Sequence, residues 1–181
     1  TTTTASTAST TITGLTSYTI YDIYVQADCG ANGTSTWAGP ISYSTCPGAA
    51  PYLENFDATP ASQALTSATG PCWTQSTNDV FDWLINNGPT TSLTTGPSDD
   101  ITGGGNYMYT ETSVPRAAGD SAILISPSID ISSLTSAEIS FQYHMYGASM
   151  GTLRVDASSD GGTTFNTIWT KTGDQGDVWT E

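Results

Sequence analysis

No stretch of this chain holds a helical period. From Leu53 onward it breaks into short runs of β-branched and aromatic residues: CWTQ, FDWLI, NYMYTET, SAILISPSIDI, AEISFQYHMYG, GTLRVDAS and FNTIWTKT, separated by Gly, Pro, Asn and Asp. Runs of this length, bounded by turn residues, fit strands and are too short and too punctuated for packed helices. The expectation is therefore an all-β chain built as a sandwich.

Upstream, the run SYTIYDIYVQADCG alternates, so Tyr21, Ile23, Val25 and Ala27 are expected on one face of a strand and Asp22, Tyr24 and Gln26 on the other. After the turn-rich GANGTST, Ile41 and Tyr43 alternate again in WAGPISYST, which predicts a long antiparallel hairpin. The segment CPGAAPY cannot continue a central strand because Pro47 and Pro51 lack a ladder donor, so a boundary is placed there, between residues 1–46 and 47–181. The opening TTTTASTAST is low in complexity and is read as a linker or a Thr-rich edge.

Charge narrows the partners. Three Lys+Arg stand against 17 Asp+Glu among 181 residues, a formal net charge of -14. Such a surface repels nucleic acid and anionic lipid, and no run is long and apolar enough for a membrane span, so neither nucleic acid nor membrane insertion is expected. A surplus of carboxylates suits a hard cation such as Ca²⁺ or plain solubility. Abundant Thr, Ser, Gly and Asn with little Lys points to an extracellular, secreted or cell-surface β-protein.

Enzymatic readings stand or fall by the chemistry they need. GASMG, residues 147–151, matches the G-x-S-x-G of a hydrolase nucleophile elbow, and His144, the single histidine, precedes Ser149. That elbow needs a strand, a sharp turn and a helix, whereas here the flanks ISFQYHMY and GTLRVDAS both read as strands, so a hairpin is expected. The acid pairs Asp79 with Asp82 and Asp99 with Asp100 offer general acid/base chemistry only at a separation that sequence does not give. One His and three scattered Cys give no zinc spacing. SSDGGTTF, residues 158–165, has the pattern of an Asp-box turn, read as structural, and Asn32 opens an N-G-T sequon on a loop.

Two resemblances add to this reading. GLTSYTIYDIYVQA, with Leu15 and Tyr21 placed as in a tyrosine corner, together with WAGPISYST, resembles the C-terminal half of a fibronectin type III domain. The stretches ENFD, CWTQ, DVFDW, GPSDDITGGGNYMY, AILISPSI, FQYHMYGASMGTL and IWTKTGDQGDVW, in order from Glu54 to Trp179, are similar to the MAM domain, named for meprin, the A5 antigen and the mu-type receptor tyrosine phosphatase. The family's opening Cys falls at Glu54, and its closing strands with Asp-Asp-Ile do not appear, so the chain is expected to begin and end mid-domain. The pairing of these modules resembles that of modular surface proteins of Bacteroidota.

The resemblances imply a partial fibronectin III sandwich followed by an incomplete MAM-type jelly roll. They imply a non-catalytic adhesion or ligand-binding segment of a large extracellular protein, whose partners are a protein or glycan at a cell surface and neighbouring modules of the same chain. The alternative is an accessory, carbohydrate-binding module of a secreted hydrolase. The MAM resemblance further implies a structural Ca²⁺ held by Asp57, Asp99, Asp100 and Thr102, and a disulfide joining Cys46 to Cys72 in place of the missing partner at Glu54. Cys29 is expected to stay apart from Cys46, at a distance of roughly 25 Å along the hairpin. Phe56, Trp73, Phe81, Trp83, Tyr107, Leu124, Phe141, Tyr143, Leu153 and Trp169 are the expected core.

Overall fold

In a computed structural model the described residues are 4–5, 9–16, 19–46, 48–59 and 72–181. Pro47 lies outside them, as does most of the low-complexity opening. Among the described residues the regular structure is β, with one 3-10 turn at Gly30–Asn32 and no α-helix. The strands are β1 Ile20–Val25, β2 Ala38–Ser44, β3 Thr74–Gln75, β4 Leu84–Asn86, β5 Tyr107–Tyr109, β6 Leu124–Ile125, β7 Thr152–Ala157 and β8 Asn166–Thr172. They pair antiparallel as β1–β2, β3–β6, β4–β5 and β7–β8. The all-β class expected from the turn-punctuated runs is the class observed.

The first hairpin follows the alternation until it meets a bulge. Tyr21 pairs with Tyr43 and Ile23 with Ile41, but Val25 pairs with Ala38, so Gly39 and Pro40 together oppose Tyr24. One extra residue on one strand reverses the facing of everything beyond it. Tyr21 and Ile23 are accordingly half-buried, whereas Val25 is exposed and Gln26 takes the covered side, contrary to the expected single face. At the base of the hairpin the Thr16 N–H donates to the Tyr21 hydroxyl at 2.9 Å, closing the chain onto the strand.

The hairpin is then tied to the larger unit. Cys46 and Cys72 form a disulfide with Cα atoms 5.2 Å apart, and Cys29 is free and exposed. Beside it, Ala49 bridges Asp130 in parallel fashion, with the Ala50 N–H donating to the Asp130 carbonyl and the Asp130 N–H to that of Gly48. The sequence-distant segments around residues 48 and 130 are thus fixed together by backbone bonds as well as by sulfur.

Short strands are extended by side chains that imitate backbone. The Gln75 amide receives the Trp83 N–H and donates to the Trp83 carbonyl, so it continues the β3 ladder towards β4. Trp83 in turn donates its indole N–H to the Ala122 carbonyl near β6. Such bonds satisfy polar groups that a two-residue strand leaves unpaired.

The core is smaller than expected and differently composed. Ile85 is fully buried, and Tyr107, Tyr143, Met145 and Cys72 are buried as well. Of the ten expected core residues only Tyr107 and Tyr143 reach that state; the other eight are half-buried. Large rings reach the interior at one edge and solvent at the other, so they form edge-to-face clusters: Phe141 and Tyr143 each lie 5.1 Å from Trp169, and Phe56 lies 5.4 Å from Trp73.

The flanks of GASMG also depart from expectation. Residues 147–150 do turn, with the Met150 N–H donating to the Gly147 carbonyl, but the runs on either side do not pair with each other. β7 pairs with β8, while Tyr143 exchanges two backbone bonds with Thr180. The reason lies at Gly147, where an added Cβ would come within 2.7 Å of the Thr95 hydroxyl. The turn is pressed onto the 95–96 segment, where the Gly96 N–H and Thr95 hydroxyl both donate to the Tyr146 carbonyl, and this uses the acceptor a hairpin would need.

Candidate functional site

The acidic loop 99–105 is organised by one carboxylate. Asp100 Oδ1 accepts the N–H groups of Gly104 and Gly105, both at 2.8 Å, and Oδ2 accepts the Thr102 N–H at 3.0 Å and the Thr102 hydroxyl at 2.6 Å. Four donors to one carboxylate require a tightly curled backbone, which Gly103 and Gly104 supply with φ of 78° and 139°. Desolvation pushes the Asp100 carboxyl up, but the Thr102 hydroxyl and N–H, with the N–H groups of Gly105 and Gly104, outweigh it and hold the group well below the usual carboxylate range. Asp100 is therefore an anion under all ordinary conditions.

A second carboxylate arrives from the ENFD segment. Glu54 Oε1 accepts the Phe56 N–H at 2.9 Å, the Asn55 side chain and Asp57 cap one another, and Phe56 sits at φ 61°. A left-handed phenylalanine is an outlier that costs on the order of 1–3 kcal/mol and persists only where its surroundings fix it. They do so here through Asn106, whose amide donates to the carbonyls of Phe56 and Thr59 while its backbone N–H donates to Asp57 Oδ1 at 2.7 Å. The strained turn aims Asp57 at the acidic loop.

The two carboxylates meet over Gly105. A methyl group there would lie 2.7 Å from Asp57 Oδ1 and 2.8 Å from Asp100 Oδ2, so the absence of a side chain is what lets both oxygens face the same point. Of the four residues expected to hold a cation, Asp57 and Asp100 are thus brought together and Thr102 joins them through its hydroxyl. Asp99 has a different place: its Oδ1 accepts the Asp100 N–H and its carbonyl accepts the Trp179 indole N–H.

As a donor set, hard oxygens from separate segments suit Ca²⁺. Asp57 retains lone pairs on both oxygens, and the Thr102 hydroxyl, having given its proton to Asp100, retains its own. Asp100 already accepts two donors on each oxygen. Among the described residues no group of three or more His, Cys, Asp or Glu is arranged around one metal position, so any cation here would complete its shell with Thr102, carbonyls or water. Gly105, Asn106 and Phe56 escaped sequence reasoning. The only trace of them in sequence is the Gly-Gly-Gly-Asn run, since nothing local shows that Asn106 reaches residues 56–59.

The other candidates are separated by the fold. His144 is enclosed, its side chain 2% exposed, with Nε2 3.1 Å from Asp177 Oδ1 and its ring edge-on to Trp179. Its Nδ1 is buried without a partner among the described residues. The imidazole is thus committed to Asp177 and not to Ser149. Asp79 is engaged by the Ile123 N–H, while Asp82 is exposed at the mouth of a groove that Glu111 also lines. The Asp-box turn is self-contained: Asp160 accepts the Ser158 and Thr164 hydroxyls and the N–H groups of Thr163 and Thr164.

With this geometry in place, the comparisons with known proteins are decisive on ancestry. The family described as MAM domain, meprin/A5/mu, matches residues 62–181. The chain belongs to the MAM family. MAM domain-containing glycosylphosphatidylinositol anchor protein 1 of Rattus norvegicus is 41% identical over 114 residues, covering 59% of this chain and 12% of that protein. Protein 2 of the same name from Homo sapiens is 38% identical over 123 residues, 60% of this chain and 13% of that protein. Neuropilin-1 of Xenopus laevis is 36% identical over 110 residues, 60% of this chain and 11% of that protein. The chain therefore spans about an eighth of the length of these relatives. No solved structure matches. Asp99, Asp100 and Gly105 lie inside the segment that matches the MAM family, whereas Asp57 lies before it and reaches the site through Asn106.

Proposed function

We propose that this chain is a non-catalytic adhesion or ligand-binding segment of a larger extracellular modular protein, stabilised by calcium at the Asp57–Asp100 junction. The observation that carries the first part is membership of the MAM family, with relatives whose names record a membrane lipid anchor and a neuropilin. The chain is extracellular, in keeping with its disulfide, and among the described residues no helix is long and apolar enough to cross a membrane. The commitment of His144 to Asp177 supports a structural role for the GASMG region.

The calcium reading is supported by two carboxylates facing one point over Gly105, where like charge favours an intervening cation. Asp57 and Asp100 would hold the ion with Thr102, and the ion would supply charge neutralisation, not chemistry. Residues 1–46 are read as the second half of a fibronectin type III domain, supported by the Thr16 to Tyr21 closure at the base of the first hairpin.

Two measurements test the proposal. Beads coated with the protein should adhere to a surface of extracellular matrix protein and not to a glycan array; the reverse pattern would favour a carbohydrate-binding accessory module. Excess Ca²⁺ should raise Tm relative to chelator, since a ligand selective for the native state stabilises it by mass action. An unmoved Tm, or an equal response in Asp57→Ala, would remove calcium from the proposal.

A further inference from the structure

A groove of about 310 Å³ lies between the 81–84 segment and the 111–116 segment, and none of the residues of the acidic loop lines it. Its apolar surface comes from Phe81 and Leu84 on one side and Val114 and Pro115 on the other. Val114 is 93% exposed, far more than an aliphatic side chain needs to be in a turn. The volume falls at the lower end of the roughly 300–1,000 Å³ typical of ligand sites, enough for a short extended segment.

Charge says what that segment carries. Two carboxylates, Asp82 and Glu111, line the groove, and Arg116 is the sole cation there. Arg116 does not neutralise them: its guanidinium lies 5.0 Å over the Phe81 ring and turns Nη1 towards the Val80 carbonyl, and among the described residues it has no carboxylate partner. The Ser113 hydroxyl and N–H hold the Glu111 carboxyl below its ordinary value, so it stays ionised. Around the groove the chain carries a net charge of -14, which draws cations in from beyond contact range.

We propose that this groove docks an extended basic segment of a partner protein, with an aliphatic side chain seated between Phe81 and Val114 and a lysine or arginine on each side paired to Asp82 and Glu111. The inference rests on the adhesion reading and names the chemistry of the partner.

The test uses the isotope-labelled chain and two acetylated, amidated pentapeptides, one alternating lysine with valine and the other glutamate with valine. The lysine peptide should shift the backbone resonances of residues 80–84 and 111–116, and the glutamate peptide should not. Asp82→Asn with Glu111→Gln should weaken binding about tenfold at low salt, an effect that fades as the screening length contracts. Asp22→Asn with Glu138→Gln, an equal change of charge elsewhere, should leave it unaltered. Val114→Asn, at a position too exposed to govern folding, should weaken binding about threefold through lost apolar contact. Shifts elsewhere, equal binding of both peptides, or equal loss in the control variant would overturn the proposal. If coated beads still adhere while the groove stays empty, the groove falls and the adhesion reading stands; if the beads fail as well, both fall.

Discussion

Two aspartates, Asp100 and Asp160, organise turns that look alike in isolation. Each carboxylate accepts four hydrogen bonds from its own loop, two of them from hydroxyl and N–H of a threonine, and each is held well below the usual carboxylate range. The turns differ in what lies beyond the loop. Asp160 sits in an exposed tip between β7 and β8, and its neighbours are Ser158, Thr163 and Thr164. Asp100 faces Asp57 over Gly105, and its neighbour Asp99 receives the indole of Trp179. A self-satisfied turn is complete as a turn; the same device becomes a candidate site only where a second segment brings in charge that the loop itself does not balance.

Substitution should separate the two most sharply at the aspartates' shared role. Asp100→Ala strips the acceptor from four donors in a half-buried loop and should cost about 2–3 kcal/mol, read as a fall in Tm of roughly 4–12 °C. The same variant should also move the Asn106 amide resonance, because Asp57 is held next to it. A Tm within a degree or so of the parent would mean that the loop is fixed by Trp179 and Asn106 alone.

Gly105→Ala against Gly161→Ala sharpens the comparison next. A Cβ at Gly105 meets both carboxylates, so overpacking of about 1–3 kcal/mol is expected together with loss of any calcium response. At Gly161 the added methyl meets nothing within 4 Å, and only the left-handed φ of 71° opposes it, at about 1–2 kcal/mol. Equal calcium response in the two variants would break the proposed link between Gly105 and a cation.

Acid should reveal what the two turns share. Both carboxyls have folded values depressed below the ordinary 3.8, so their stabilisation is fully present above that pH and is lost as pH falls below it towards the folded value. Denaturant midpoints measured from pH 6 downwards should therefore hold steady and then decline below about pH 4. Asp100→Asn should flatten that decline; flattening by Asp160→Asn alone would reverse the ranking of the two loops.

The smallest effect is expected for Asp160→Ala, with Tm lowered less than by Asp100→Ala and resonance changes confined to residues 158–165. Changes reaching β5 or Asn106 would show that the tip communicates with the acidic loop after all.

Local chemistry made much of this legible in advance. Turn residues bounding β-branched runs depend on nearest neighbours, so the all-β class and the β1–β2 and β7–β8 pairings follow from sequence. The acidic loop, the Asp-box turn and the Cys46–Cys72 bond were likewise visible, the last through its family resemblance. What failed depended on distance. The bulge opposite Tyr24 turned Val25 outward, and Tyr143 chose Thr180 over β7, because a strand's partner is set by whichever edge is free in three dimensions. Eight of the ten expected core residues stayed half-buried, because ring size fixes how much apolar area a residue offers and not how many layers cover it.

The sequence by itself determined the turns, the strand-forming runs, the acidity and the identity of the oxygen donors, since each rests on intrinsic backbone preference or on groups within a few residues of one another. Only the tertiary structure decided that Asp57 and Asp100 face each other, that Asp99 turns to Trp179, and that Arg116 lies on Phe81 and leaves Asp82 and Glu111 unpaired. Those are meetings between segments separated by tens of residues, and alternation along one strand carries no information about which other strand lies opposite.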